Sequence, residues 1–583
     1  MSNDQMVPAP APTDLSTVTI LVDGTAIPET FQLNSLAVTK GVNMIATARI
    51  IIYDGDAAEE DFPASASGDF VPGKEVEIQA GYHNEEDTIF KGIIVKHGIQ
   101  VNAKGGTVLV LDCRDEAVKM TLGRKNTYFY EQKDSDIISE VCGNYSISTD
   151  VESTSATHKE MVQYNATDWD FVISRAEYNG LLAFNSDGEL KIAKPDLGSS
   201  PIVSLRFGST ILRFSAEMDA RMQYKAVTTV GWNQADQALV EIEGESPSLK
   251  EPGNLSGDDL SDVIALDSFR MHHTGPVTDQ ELQAWADATL MRSRLAKVQG
   301  NVTFQGVAAV IPGTVIEIGG VGDRFNGNVF VAGVLQEIVG GKWETTVEFG
   351  LNPKWFARKY ADINELPAAG LIPGIHGLHI GKVVALEGDP DGEERIQVRM
   401  PTISTSEEGI WSRLASQDAG NNRGWVFRPE IDDEVVVGFM NGDPRYPVVM
   451  GQLHSSASPS HIPASDDNHE KGLLTRSELK LNFDDDKNVI LIETPAGNKI
   501  TLSEDDGGIT IEDENSNTVV MSSDGIAMES PGEISIKATK DLTLEGMNVN
   551  VKASAQLKAE GSAGAEISSG ATCVVKGSLV QIN

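Results

Sequence analysis

The chain has 583 residues, 40% of them apolar and only 6% aromatic, with 55 glycines and a formal net charge of -40. That charge excludes a nucleic-acid binder, whose phosphate contacts need clustered Lys and Arg, and it opposes docking on anionic lipid. The length predicts about four domains, the composition favours strands and turns over helices, and the three scattered cysteines, Cys113, Cys142 and Cys573, predict no disulfide framework and folding in a reducing cytoplasm.

Residues 1–16, with Pro8, Pro10 and Pro12, read as a flexible arm without a basic or apolar leader. The protein is therefore expected to be made in the cytoplasm and to leave the cell, if it does, without a signal peptide. No apolar run is long enough for a membrane helix. Residues 17–130 alternate like the strands of a β-barrel: Val18 to Val22, Ala48 to Tyr53, Val76 to Ile78, and Val108 to Leu111, with a turn at Asn102 to Gly106.

Residues 131–275 read as a mixed α/β segment, with short helices over Asp136–Cys142 and from Asp168 to Ala176. Asp168 and Asp170 would sit favourably at the second helix's N-terminal dipole. Residues 276–370 form a second barrel, introduced by a helix that Thr278 and Glu281 cap. Its stripe of Leu282, Trp285, Ala286 and Leu290 is expected to pack against a barrel. The segment Pro72-Gly73 to Ile78 is echoed by Pro312-Gly313 to Ile318, each followed by Gly and two apolar residues (Gly92-Ile93-Ile94 and Gly333-Val334-Leu335). The echo makes the two barrels related.

Residues 371–456 supply five strands in a short span, the pattern of an OB-type barrel. A polar linker over 457–477 leads to the tail, 478–583. Thirteen acids fall between Asp484 and Glu533 against Lys487 and Lys499. In this acidic collar the apolar pairs are widely spaced: Ile490/Ile492, Ile500/Leu502, Ile509/Ile511, Val519/Met521 and Ile526/Met528.

From Ile534 the pairs tighten: Ile534/Ile536, Leu542/Leu544, Val549/Val551, Leu557/Ala559, Ala565/Ile567, Cys573/Val575 and Val580/Ile582. A small residue follows most pairs, with corners at Gly546, Gly561 and Gly577. Eight residues at roughly 3.3 Å each close a perimeter of about 26 Å, too narrow for one chain to coil around its own side chains. Three chains, each giving one face, would fill a shared axis. The tail is therefore expected to be an intertwined trimeric β-helix, the alternative being a meander of short strands.

Three groups of residues carry a likeness to a family. The first is Gln163-Tyr164-Asn165 with Asp168, Trp169, Asp170, Phe171, Arg175, Ala176 and Glu177. The second runs through Asp389, Pro390, Asp391, Gly392, Arg395, Trp411, Gly424-Trp425, Pro429, Gly438, Gly442, Pro447 and Gly451. The third is Thr494-Pro495-Ala496-Gly497-Asn498-Lys499-Ile500. In these the chain resembles the VgrG family of contractile injection systems and the hub and spike proteins of contractile phage tails. The resemblance implies a mainly β homotrimer: two related hub barrels with a small α/β insert, an OB barrel and a needle. It also implies docking on the sixfold ring of an inner tube protein, contact with baseplate proteins, a PAAR-like tip protein, effector cargo, and target-membrane contact only through mechanical puncture. The spacing around Asn43 to Ala46 and Tyr53 to Gly55 is more similar to extracellular phage-tail-like particles than to type VI spikes.

Departures from the family are expected in two places. Too few residues separate the OB unit from the tail for a lysozyme insert, and the last histidine, His469, precedes the needle, which leaves it without metal-binding histidines. With the final pair so close to Asn583, no fused effector is expected either.

The sequence holds no H-E-x-x-H, G-x-S-x-G or P-loop pattern, and no enzyme, cofactor or metal is expected. Asp389, Asp391, Glu393 and Glu394 read as a solvated turn rather than a cation site. The runs Asp484 to Asp486 and Glu504 to Asp506 read as solvated surface, and His272-His273 as an exposed loop. Trp411 and Trp425 are expected to pack in the barrel rather than stack on a glycan. The competing functions are a glycan-degrading trimeric tailspike, which needs a carboxylate-lined groove, and a trimeric adhesin or tail fibre, which needs a receptor domain.

Overall fold

The structure is a computed structural model that describes residues 15–102 and 106–582. The arm reading and the tip of the Asn102 to Gly106 turn thus fall largely outside the described residues. The chain divides into two units: residues 1–377 with 438–447, and 378–437 with 448–583.

The first unit is dominated by a thirteen-stranded sheet. Its first half orders Leu33–Gly41, Thr47–Tyr53, Gly106–Arg114, Glu85–Asn102, Glu75–Tyr82 and Thr17–Val22. Its second half orders Ile211–Met218, Val298–Gln305, Lys342–Phe349 and Gly327–Val339, the last also pairing with Val315–Gly319. Each half wraps its own core, one around Ile50, Ile78, Phe90 and Leu111, the other around Val302, Phe304, Ile316 and Val347. The halves are joined edge to edge, since Leu33–Gly41 pairs with Gly327–Val339 in the register Leu36↔Ile338 and Val38↔Gln336. Strand Ile211–Met218 also belongs to this sheet, although it lies in the span expected to be the mixed segment.

The internal echo is present in the hydrogen bonds. Gly73 and Gly313 both take positive φ, +99° and +89°, after their prolines. Lys74 N–H bonds Val71 O, as Thr314 N–H bonds Ile311 O, which makes two matching Pro-Gly turns. Gly73 N–H reaches Ile94 O at 2.8 Å and Gly313 N–H reaches Val331 O at 2.9 Å. Ile94 N–H returns to Lys74 O and Val331 N–H to Thr314 O, so the structural equivalent of Ile94 is Val331, four residues before the Leu335 that the sequence echo pairs with it.

Helices Asp134–Cys142 and Asp168–Tyr178 share a core with Phe129, Ile192 and Phe356. Helix Asp279–Leu295 starts where expected: Thr278 accepts from Glu281 N–H, and Glu281 completes the box. Its apolar stripe does not meet a barrel. Ala286 and Leu290 pack with Val227 of a separate three-stranded sheet, formed by Val227–Asn233, Ala238–Glu243 and Phe269–His272. Gly231 and Gly244 let the helix come that close, because a Cβ on either would lie 3.1 Å from Leu282 Cδ1 or 2.9 Å from Ala286 C. Trp285 is only half-buried and stacks on Tyr178, ring centroids 6.3 Å apart. His272 is exposed but ends a strand rather than lying in a loop.

Between residues 379 and 452, His379–Ala385, Ile396–Arg399, Ile410–Leu414, Pro447–Gln452 and Glu434–Phe439 close a five-stranded barrel. Val383, Ile396, Val398, Val435 and Val449 fill it. Seven antiparallel strands follow, from Glu470–Leu474 to Gly525–Glu529, each paired with the next. The first lies in the expected linker, and the collar is thus a single-chain meander. From residue 530 to 582 no strand pairs within the chain. A strand exists only through its partners, and these short segments find none in their own chain.

Candidate functional site

The hub motif is built around three buried carboxylates. Thr167 caps helix Asp168–Tyr178 by accepting from Asp170 N–H at 3.1 Å. Asp168, at the helix start, accepts from Lys125 Nζ (2.6 Å), the Tyr145 hydroxyl (2.6 Å) and Gln163 Nε2 (2.8 Å). Trp169 and Phe171 are buried beside it, and the Phe171 ring stacks on Phe129 at 5.9 Å.

Arg175 grips Asp134 with Nε at 2.7 Å and Nη2 at 2.8 Å. Asp134 also accepts from Asn179 Nδ2 at 2.8 Å and faces His158 Nε2 at 2.9 Å. Glu177 accepts from Asn43 Nδ2 (2.6 Å), Arg292 Nη2 (2.7 Å) and the Phe356 amide (2.6 Å). One short helix thereby pins strands, helices and chain segments more than a hundred residues apart.

Electrostatics follow this packing. Burial works to raise the Asp134 carboxyl, yet the bonds from His158 and Arg175 prevail and hold it well below the carboxylate range. Burial likewise opposes ionisation of Asp168, and the bonds from Lys125, Tyr145 and Gln163 keep it lowered. Burial pushes the Cys113 and Cys142 thiols up to about 12. These are the features of a rigid joint: each carboxylate is spent on fixed donors. Among the described residues no group of three His, Cys, Asp or Glu is placed to hold a metal ion.

Asp134 and Arg292 were not singled out in sequence, and Asn43 only for the spacing around it. Their partners on helix Asp168–Tyr178 lie 41 to 134 residues away, too far for a local pattern to show the pairing.

In the OB barrel Asp389 organises the turn rather than waving in solvent. It accepts from Glu393 N–H (2.8 Å) and Arg395 N–H (3.2 Å) and pairs with the Arg395 guanidinium, while Gly392 takes φ +66°. Pro429 is buried and Trp411 half-buried. Gly438 lies in strand Glu434–Phe439, Pro447 and Gly451 in Pro447–Gln452, and Gly442 turns with φ +64°. Trp425 departs from expectation: it is 57% exposed and tilts against Phe427 at 5.7 Å. Its hairpin, Ala419–Gly420 with Arg423–Gly424, projects from the barrel strands and forms its own two-stranded sheet, so no core receives the indole. Gly381, also not anticipated, sits inside the barrel, where a Cβ would fall 2.4 Å from Val398 Cγ1.

The collar register lines up the apolar pairs into two rows on one face. One row runs Phe483, Ile490, Leu502, Ile509, Met521, Ile526, and the other Leu481, Ile492, Ile500, Ile511, Val519, Met528. The middle position of each strand, such as Leu491 opposite Thr501 and Thr501 opposite Thr510, faces the other way. The apolar rows are far from covered: Ile492 is 48% and Ile526 68% exposed. Beyond them Ile534, Ile536, Leu542, Leu544, Val549, Val551, Leu557, Ile567, Val575 and Ile582 are all exposed, from 55% at Ile534 to 91% at Ile582. The corner residues Gly546, Gly561 and Gly577 lie among them without positive φ.

Comparison with known proteins follows the same division. Residues 379–454 match the type VI secretion system/phage-baseplate injector OB domain. The spike protein VgrG3 of Vibrio cholerae serotype O1 is 28% identical over 127 residues, which is 19% of this chain and 12% of that protein. A second V. cholerae protein, the actin cross-linking toxin VgrG1, is 30% identical over 97 residues, 15% of this chain and 9% of the toxin. The chain thus spans about a tenth of the length of these relatives. A tail protein from Neisseria meningitidis overlays with a TM-score of 0.43 at 14% identity, covering 58% of this chain and 98% of that one.

The OB barrel and the VgrG relatives make the chain similar to VgrG-family spikes. Over residues 12–340, more than half its length, the chain belongs to the family described as the Alg8 N-terminal domain.

Proposed function

We propose that this protein is the homotrimeric hub and spike of a contractile injection system and that its work is mechanical, not enzymatic. The observation that carries the reading is the uncovered apolar face of residues 481–582. Two unbroken rows of Phe, Ile, Leu, Val and Met, followed by exposed pairs, leave far more contiguous apolar surface than a soluble monomer tolerates. Three copies turning these rows inward would bury them at about 25 cal/mol per Å² and would close the ladders so that no strand edge is left free.

The two related halves of the large sheet support a second element of the proposal. Repetition within a chain turns three copies into six similar modules, which suits a sixfold inner-tube ring above a threefold needle. A PAAR-like tip protein, baseplate proteins and effector cargo complete the proposed partners, and an extracellular phage-tail-like particle is the favoured setting.

Leu544→Asp would place three charges on the proposed axis. Sedimentation of the purified full chain should show trimers for the parent and monomers for the variant. Stable trimers of the variant, or a parent that stays monomeric at micromolar concentration, would overturn the reading.

A further inference from the structure

One cleft of the first unit is used by nothing above. Residues 153–155, 179–181, 194–195 and 245–249 and one side of helix Asp279–Leu295 enclose about 590 Å³, a size typical of ligand pockets. The floor is aliphatic: Leu181, Ala284, Ala288 and Met291. Gly180, at φ +73°, keeps that floor open beside Ala288. The outer wall is fastened rather than loose. Glu245 N–H bonds Asp287 Oδ1 at 2.7 Å, and Gln283 Nε2 bonds the same oxygen at 2.8 Å.

The rim keeps its hydrogen-bonding capacity. Among the described residues, the side chains of Ser153, Ser155, Ser246, Ser248, Gln280 and Lys194 make no hydrogen bond to the rest of the chain. We propose that this cleft binds an extended peptide segment that seats one aliphatic side chain on the floor. Ser153 and Ser155 on one wall, and Ser246 and Ser248 on the other, are each two residues apart in irregular backbone, and residues on the same side of an extended peptide recur about every 6.6 Å. That is the repeat at which a bound peptide presents its own amides to one side.

Other chemistries fit less well. No aromatic ring lines the cleft for a sugar to stack on, and Glu245 and Asp287 outnumber Lys194 against an anion. The proposal stands on the cleft alone and does not depend on the spike reading.

The test uses the full-length protein and a capped pentapeptide, Gly-Ser-Leu-Ser-Gly, with photo-leucine in place of leucine and a biotin tag. Cross-links should map to Leu181, Ala284 and Met291. Ala284→Trp, which fills the floor, and the double variant Ser246→Ala/Ser248→Ala should each weaken labelling about tenfold. The serine variant should also keep the parent's melting temperature, so a folding failure of Ala284→Trp would leave the test intact. Labels scattered over the surface, equal labelling of the serine variant, or displacement of the peptide by chitotriose but not by unlabelled peptide would each overturn the proposal.

Discussion

Asp134 is held at 1% exposure by Arg175, His158 and Asn179, which makes its partners sensitive points. Arg175→Ala removes the bidentate partner and leaves the carboxylate buried, so a loss of about 3–5 kcal/mol is expected, measured by urea unfolding. The pH dependence has a definite sign. The folded Asp134 and Asp168 carboxyls lie below their unfolded values, so their stabilisation is complete above the ordinary carboxylate range, about pH 4, and is lost as pH falls below it. Thermal melts from pH 6 to pH 2.5 should show the first unit weakening only at the acid end. Arg175→Ala should flatten that dependence.

The two Pro-Gly turns and the barrel glycine set the expectations for single elements. Gly73→Ala meets nothing within 4 Å and suffers only its positive φ, about 1 kcal/mol. Gly313→Ala has the same backbone strain and also brings Cβ to 2.8 Å from the Phe184 ring. It should therefore destabilise more than its counterpart, by about 1–3 kcal/mol further. Equal melting temperatures for the pair would contradict the packing around Phe184. Gly381→Val forces methyls into Val398, Val435 and Val437 and should open the OB barrel, read by exchange of the Val383 and Val398 amides with deuterated solvent.

For the whole molecule, the decisive question is what covers the tail. Cys573 is exposed in the single chain and belongs to a pair assigned to the shared axis, while Cys113 and Cys142 are buried thiols raised to about 12. In a trimer, iodoacetamide should modify none of the three quickly. In the Leu544→Asp variant Cys573 alone should react, at least tenfold faster than in the parent. Rapid labelling of Cys573 in assembled trimers would place it off the axis.

Sequence alone determined what depends on neighbours along the chain. The capping of helix Asp279–Leu295 by Thr278 and Glu281, the Pro-Gly turns and the apolar pairs of the collar are local patterns, and alternation by twos places Ile500 and Leu502 on one face whatever else happens. Tertiary structure decided what depends on distant partners. Asn43 and Arg292 meet at Glu177, Ile94 corresponds to Val331 and not Leu335, and the stripe on helix Asp279–Leu295 packs on a small sheet. Trp425, too, turns to the surface. Hydrophobicity tells a side chain to leave water, but only the folded chain determines which surface receives it.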